Sequence, residues 1–175
     1  MIKRYKKRMS LNDANALNNM GTFYGKGEYG LPQNYAKALE LWHKAGELGY
    51  TNAYYKIANA HYFGRGMKID KKKAIHYYEL AAKGGHEMAR HNLGAFEEQE
   101  GNHHRALKHF NIAVEDGERN SLKAIKELYM DGLATKEDYA KALRAYQAYL
   151  DEIKSEQRDE AAAVDDEYKY YESTF

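Results

Sequence analysis

The dipeptide Lys37-Ala38 returns as Lys73-Ala74, Arg105-Ala106 and Lys141-Ala142, at intervals of 36, 32 and 36 residues. A period in that range marks a chain built by stacking copies of one supersecondary unit. Four residues past each alanine stands an aromatic: Trp42, Tyr78, Phe110 and Tyr146. Seven past stand Ala45, Ala81 and Ala113, then Tyr149 in the last copy. Eleven past stand Gly49, Gly85 and Gly117, then Ile153. The alanine, the aromatic and the small residue share one helix face. The small residues admit a neighbouring helix, and the aromatic fills the space beside it. The terminal glycine supplies the left-handed residue that stops a helix.

A second column precedes the first. Met20, Ile57, Leu93 and Ile125 are equivalent apolar positions, and Gly21, Ala58 and Gly94 follow three of them. Lys126 breaks the small-residue rule in the last copy. Each copy is therefore read as a helical hairpin. Helices are expected near 13–24 and 34–48, 52–63 and 70–83, 87–99 and 102–116, and 119–130 and 135–153. Asn34, Asp70 and Asn102 fall where an N-cap side chain accepts from a helix's unpaired N–H. In the fourth copy that place is Asp138, and Thr135 starts the helix one turn earlier.

The ends differ from the copies. Residues 1–11 read as the second helix of a truncated preceding repeat, as if a longer protein continued upstream. Asn12 stands where the stop glycine belongs, and asparagine tolerates left-handed backbone. The array is placed at 12–154, in copies 12–49, 50–85, 86–118 and 119–154. Residues 155–175 read as an acidic capping helix and tail, with Ser155 as the cap of a helix near 156–171. End repeats of a stack need a more polar outer face.

Composition agrees with a folded, helical chain. Of 175 residues 43% are apolar and 30% charged, with a single proline. Tyrosine is overused, with 17 copies against 5 phenylalanines, and it suits half-buried places where a ring packs and a hydroxyl meets water. No cysteine is present, so disulfides and cysteine-based zinc sites are excluded. No apolar run reaches the roughly 18 residues of a membrane-spanning helix. The start, MIKRYKKRMS, is basic and lacks a secretion signal's apolar core, so a cytoplasmic or nuclear location is expected. The net charge of +1 disfavours a general phosphate-backbone binder. Residues 1–9 carry five Lys or Arg and no acid, while 151–175 carry nine Asp or Glu against three Lys or Arg. Two solvated helix ends explain this split, and the opposite charges also offer a route to self-association.

At these columns the sequence resembles the Sel-1-like repeat family, relatives of the tetratricopeptide repeats. The family pattern runs roughly A-x3-L-G-x2-Y-x2-G-x-G-V-x2-D-x2-K-A-x2-W-x3-A-A-x2-G. Ala53, Ile57, Ala58, Gly64, Gly66, Asp70, Lys73, Ala74, Ala81, Ala82 and Gly85 answer it in the second copy. Ala16, Met20, Gly21, Tyr24, Gly27, Lys37, Ala38, Ala45 and Gly49 answer it in the first. The resemblance covers about residues 12–150 and implies an all-α fold: a right-handed α-solenoid of stacked antiparallel helix pairs, about four repeats with capping helices. It also implies a non-catalytic adaptor for a protein or peptide partner. In such solenoids the first helices line the concave face. By register, that face holds Asn18, Thr22, Tyr55, Asn59, Tyr62, His91, Ala95, Glu98, Lys123 and Glu127, flanked by Tyr54 and Phe63. Two other readings stand beside it. One is a regulatory or substrate-binding subunit of a larger enzyme complex, such as ubiquitin-ligase quality control. The other is a nucleic-acid binder through Lys3, Arg4, Lys6, Lys7 and Arg8.

Signals of chemistry are weak. Gly25, Gly27 and Gly30 spell G-x-G-x-x-G, but a dinucleotide fingerprint needs a strand before it and a helix after it. Here a helix precedes and Leu31-Pro32 follows, so the glycines are read as turn formers. His86-Glu87 and His91 nearly spell a zinc-protease motif, but five residues turn a helix by about 140° past a shared face. No catalytic residue, metal or cofactor is expected.

Overall fold

Asp13 accepts from the Ala16 N–H at 2.9 Å, Asn34 from Lys37 at 2.9 Å, and Asp70 from Lys73 at 3.0 Å. Each bond satisfies a backbone donor that the helix itself cannot pair. They start α2 (Ala14–Lys26), α3 (Tyr35–Glu47) and α5 (Lys71–Lys83). Left-handed glycines stop the first helices: Gly27 (φ 71°) ends α2 and Gly64 (φ 65°) ends α4 (Thr51–Phe63). Asn12 takes the same conformation, φ 54°, between α1 (Ile2–Met9) and α2. The computed structural model describes the backbone of residues 1–172 and the side chains of residues 1–157. Among the described residues all regular structure is helical.

The chain divides into two units, the first spanning Met1–His109. In it, α1 packs on α2, α2 on α3, α3 on α4, α4 on α5, and α5 on α6 (Glu87–Gln99). Sequential antiparallel neighbours with short turns give stacked hairpins. Two apolar clusters hold them. One joins Leu17, Met20, Leu41, Trp42, Ala45 and Ile57. The other joins Ala58, Ala74, Tyr78, Ala81, Ala89 and Leu93. Both are built from the sequence columns, so the repeat period is the packing period.

Gly21 shows why the small column is small. A methyl group added there would lie 2.6 Å from Trp42 Nε1. That nitrogen donates to the Asn18 carbonyl at 3.2 Å, so the indole is pinned across α2. Gly25 lies one turn further along the same helix, and its carbonyl accepts from Gln33 Nε2 at 2.9 Å. These glycines serve close packing and the turn.

The second unit begins at Phe110, within α7 (His103–Glu115), and holds α8 (Arg119–Met130) and α9 (Lys136–Glu172). Its buried apolar residues include Phe110, Val114, Ile125, Leu128 and Ala142, and α8 packs on α9. Thr135 and Asp138 cap each other reciprocally: Thr135 N–H donates to Asp138 Oδ2 at 2.9 Å, and Asp138 N–H to Thr135 Oγ1 at 3.1 Å. Tyr149, large where the other copies are small, closes its ring over Gly117.

One boundary differs from expectation. A separate helix capped by Ser155 is not formed, because α9 runs through Ser155 without interruption. No glycine or proline stands between Lys136 and Glu172, and a serine inside a helix costs only a fraction of a kcal/mol, roughly 0.5, relative to alanine. The acidic run Asp165, Asp166 and Glu167 lies outside the described side chains.

Candidate protein-binding groove

Three residues of α4 at helical spacing, Tyr55, Asn59 and Tyr62, face a groove of about 360 Å³. Asn92, Ala95, Phe96 and Gln99 of α6 form the opposite wall. Tyr78 of α5 is the floor, only 1% exposed. Its hydroxyl donates to Asn59 Oδ1 at 2.6 Å. Burial pushes this phenol far above its ordinary range, and a hydrogen bond with Asn92 opposes the shift. The core aromatic of the repeat and two groove amides thus form one polar contact at the bottom of an aromatic cleft.

The walls are set by rings. Tyr62 meets Phe96 edge-on at 5.4 Å and Phe63 edge-on at 4.8 Å. Phe63 is 56% exposed at the rim. Arg65, in the turn after α4, lies over the Phe63 ring with its guanidinium carbon 5.1 Å from the centroid. At the other end Tyr55 stacks on His86 at 4.4 Å. His86 Nδ1 accepts from the Ala89 N–H at 3.4 Å and so caps α6. Burial lowers the His86 pKa, with Glu87 opposing. An imidazole kept neutral retains the lone pair that the cap requires.

The residues expected on the concave face divide accordingly. Tyr55, Asn59, Tyr62 and Ala95 come together in the groove, with Phe63 beside them. Thr22 lines an adjoining hollow. Asn18 is a correction: it is 3% exposed, and its carbonyl accepts from Trp42 Nε1 and from Thr22 Oγ1. The indole covers it. His91 and Glu98 are half-buried and do not line the groove, whose wall on α6 is one position further along, at Asn92 and Gln99. A cleft between two neighbouring first helices is bounded by opposite flanks of each, so one register cannot serve both. Lys123 and Glu127 lie on α8 in the second unit, exposed and paired with each other at 3.6 Å. Tyr54 packs against Tyr77 and Gly46 on another side of α4. Tyr78 is a core aromatic of the repeat column, whereas Phe96 and Arg65 fall in no repeat column, and no column marks any of the three as a groove residue.

A third hollow of about 430 Å³ is lined by Lys71, Lys72, Glu79, Glu97, Glu100, Arg105 and His109 among others. Two of its charges are paired with each other, Arg105 with Glu97 at 2.7 Å, and Asn102 donates to Glu97 at 2.9 Å. Among the described residues no three His, Asp or Glu side chains converge as a metal site, and no helix is long and apolar enough to cross a membrane.

The Sel1 repeat model matches residues 14–50, 51–86, 88–118 and 120–147. Among solved structures, the chain is similar to a Sel1 repeat protein from Oxalobacter formigenes, at 30% identity and a TM-score of 0.73. That match covers 84% of this chain and 63% of the other. It is also similar to c5321, a protective antigen of uropathogenic Escherichia coli with an SLR fold, at 25% identity and a TM-score of 0.72. There it covers 87% of this chain and 33% of the other. The chain thus spans about two thirds of one relative's length and one third of the other's. The α-solenoid class is the one these repeats and neighbours share.

Proposed function

Because the chain belongs to the Sel1 repeat family, whose repeats generally mediate protein–protein interaction and are typically non-catalytic, we propose that it is a scaffold that holds a peptide segment of a protein partner in the groove between α4 and α6. The observation that carries this reading is the composition of that groove. Five aromatic rings, two asparagines, a glutamine and one arginine line it. Aromatics supply contact area at low entropic cost, and Tyr and Arg are the side chains that interface hot spots favour. The amides can meet a peptide's backbone groups. Of Asn59, the oxygen is held by Tyr78, which leaves its Nδ2 to donate outward.

The test is a double substitution, Tyr55→Ala with Tyr62→Ala, in a quantitative co-purification. Both side chains are half-buried, so far-ultraviolet circular dichroism must show the helices intact. Partner recovery falls at least about tenfold on this reading, since each aromatic hot spot is worth roughly 2 kcal/mol or more. Undiminished recovery from a folded double variant counts against it.

A further inference from the structure

A second hollow, of about 140 Å³, adjoins the groove and shares Tyr55, Asn59 and Arg65 with it. Its lining carries three cations and no carboxylate: Lys26 at the end of α2, Lys56 on α4, and Arg65 in the turn beyond α4. Lys26 has a partner, Glu28 at 3.4 Å. Lys56 and Arg65 have no ion-pair partner among the described residues. Lys56 is half-buried on the same helix as Tyr55 and Asn59. Burial lowers its pKa first, and Lys26 adds to the effect. A partly desolvated ammonium beside a second cation, in a hollow that a third also lines, is an arrangement that a bound anion relieves.

We propose that the groove selects an acidic peptide segment, with an apolar or aromatic side chain seated in the groove against Tyr62 and Phe96 and a neighbouring Asp or Glu carboxylate held by Lys56 and Arg65. This rests on the groove being the binding surface. Charge complementarity decides the occupant: the cations stand at the end of an aromatic cleft, and no acidic side chain lines either hollow. A nucleic acid fits less well. Two uncommitted cations neutralise few phosphates, and the whole chain carries only +1. Arg65 can grip a carboxylate with two parallel N–H groups while its guanidinium carbon stays over the Phe63 ring.

The test uses the full chain and three pools of short labelled peptides, read by fluorescence anisotropy. Every peptide has a central Tyr, Phe or Leu. The flanks are drawn from Asp, Glu, Ser and Gly in one pool, from Asn, Gln, Ser and Gly in the second, and from Lys, Arg, Ser and Gly in the third. The acidic pool is expected to bind roughly tenfold more tightly than the neutral one, with the advantage shrinking at high salt. Lys56→Gln with Arg65→Gln removes that advantage, so that the variant binds the acidic and neutral pools alike. Arg65→Gln alone, at an exposed turn residue, reduces it without risk to the fold. Tyr62→Ala weakens every pool. Equal affinity for the acidic and neutral pools overturns the acidic preference and leaves the groove reading standing. Displacement of the acidic pool by oligo(dT) at matched charge overturns it in favour of nucleic acid. Binding of no pool, or binding that ignores Tyr62→Ala, overturns both readings.

Discussion

The Tyr78 hydroxyl donates to Asn59 Oδ1 at 2.6 Å, across a side chain that is 1% exposed at one end and a groove at the other. The bond ties the core of the second hairpin to a residue that lines the groove. Tyr78→Phe keeps the ring and removes the donor, so it should lower stability by about 1–2 kcal/mol. Tyr78→Ala also opens a cavity and should cost about 3–5 kcal/mol. Urea denaturation measures both. A double-mutant cycle with Asn59→Ala should show a coupling of roughly 0.5–1.5 kcal/mol, because neither partner is worth as much without the other.

Gly21 and Trp42 give a second prediction with opposing terms. Alanine is the better helix former, by about 1 kcal/mol. The added methyl would stand 2.6 Å from the indole nitrogen, and that ring is pinned by its bond to the Asn18 carbonyl. Overpacking costs about 1–3 kcal/mol, so Gly21→Ala is expected to destabilise the protein in spite of propensity. A raised melting temperature would show that the indole gives way.

The pH dependence follows from three histidines whose pKa values burial lowers, His61, His86 and His109. A base with a depressed folded pKa binds its proton more readily when unfolded. Stability is therefore fully present above the unfolded value of about 6.5 and declines as pH falls below it toward the folded values. The melting temperature should drop between neutral pH and mildly acidic pH. His86→Asn keeps a capping oxygen for α6 and removes one titrating group, so its drop should be smaller than that of the wild type. An identical pH profile would remove His86 from the explanation.

The fold was almost fully legible because its signals are local and repeated. The Lys/Arg-Ala pairs and the aromatic four residues on name packing requirements that recur in every hairpin, and the stop glycines name a backbone requirement that recurs in the first three. Asn12 and Thr135 could be read the same way, through left-handed backbone and capping chemistry. The groove was legible only where it lies on one helix. Tyr55, Asn59 and Tyr62 follow from the α4 register, but Asn92 and Gln99 belong to the other flank of α6. Asn18 was misplaced because burial by Trp42 depends on a contact 24 residues away, which no local pattern encodes. The run of α9 through Ser155 shows the complementary error: a residue that can cap starts a new helix only where the preceding helix ends.

The central claim, that a partner lies between α4 and α6, is tested most directly by site-specific photo-crosslinking. Tyr62 is replaced by p-benzoylphenylalanine, a conservative aromatic change, and the same group is placed at exposed His76 on α5 as the control. Crosslinking of the partner from position 62 and not from position 76 is the predicted result. A partner captured from position 76 and absent from position 62 would contradict it.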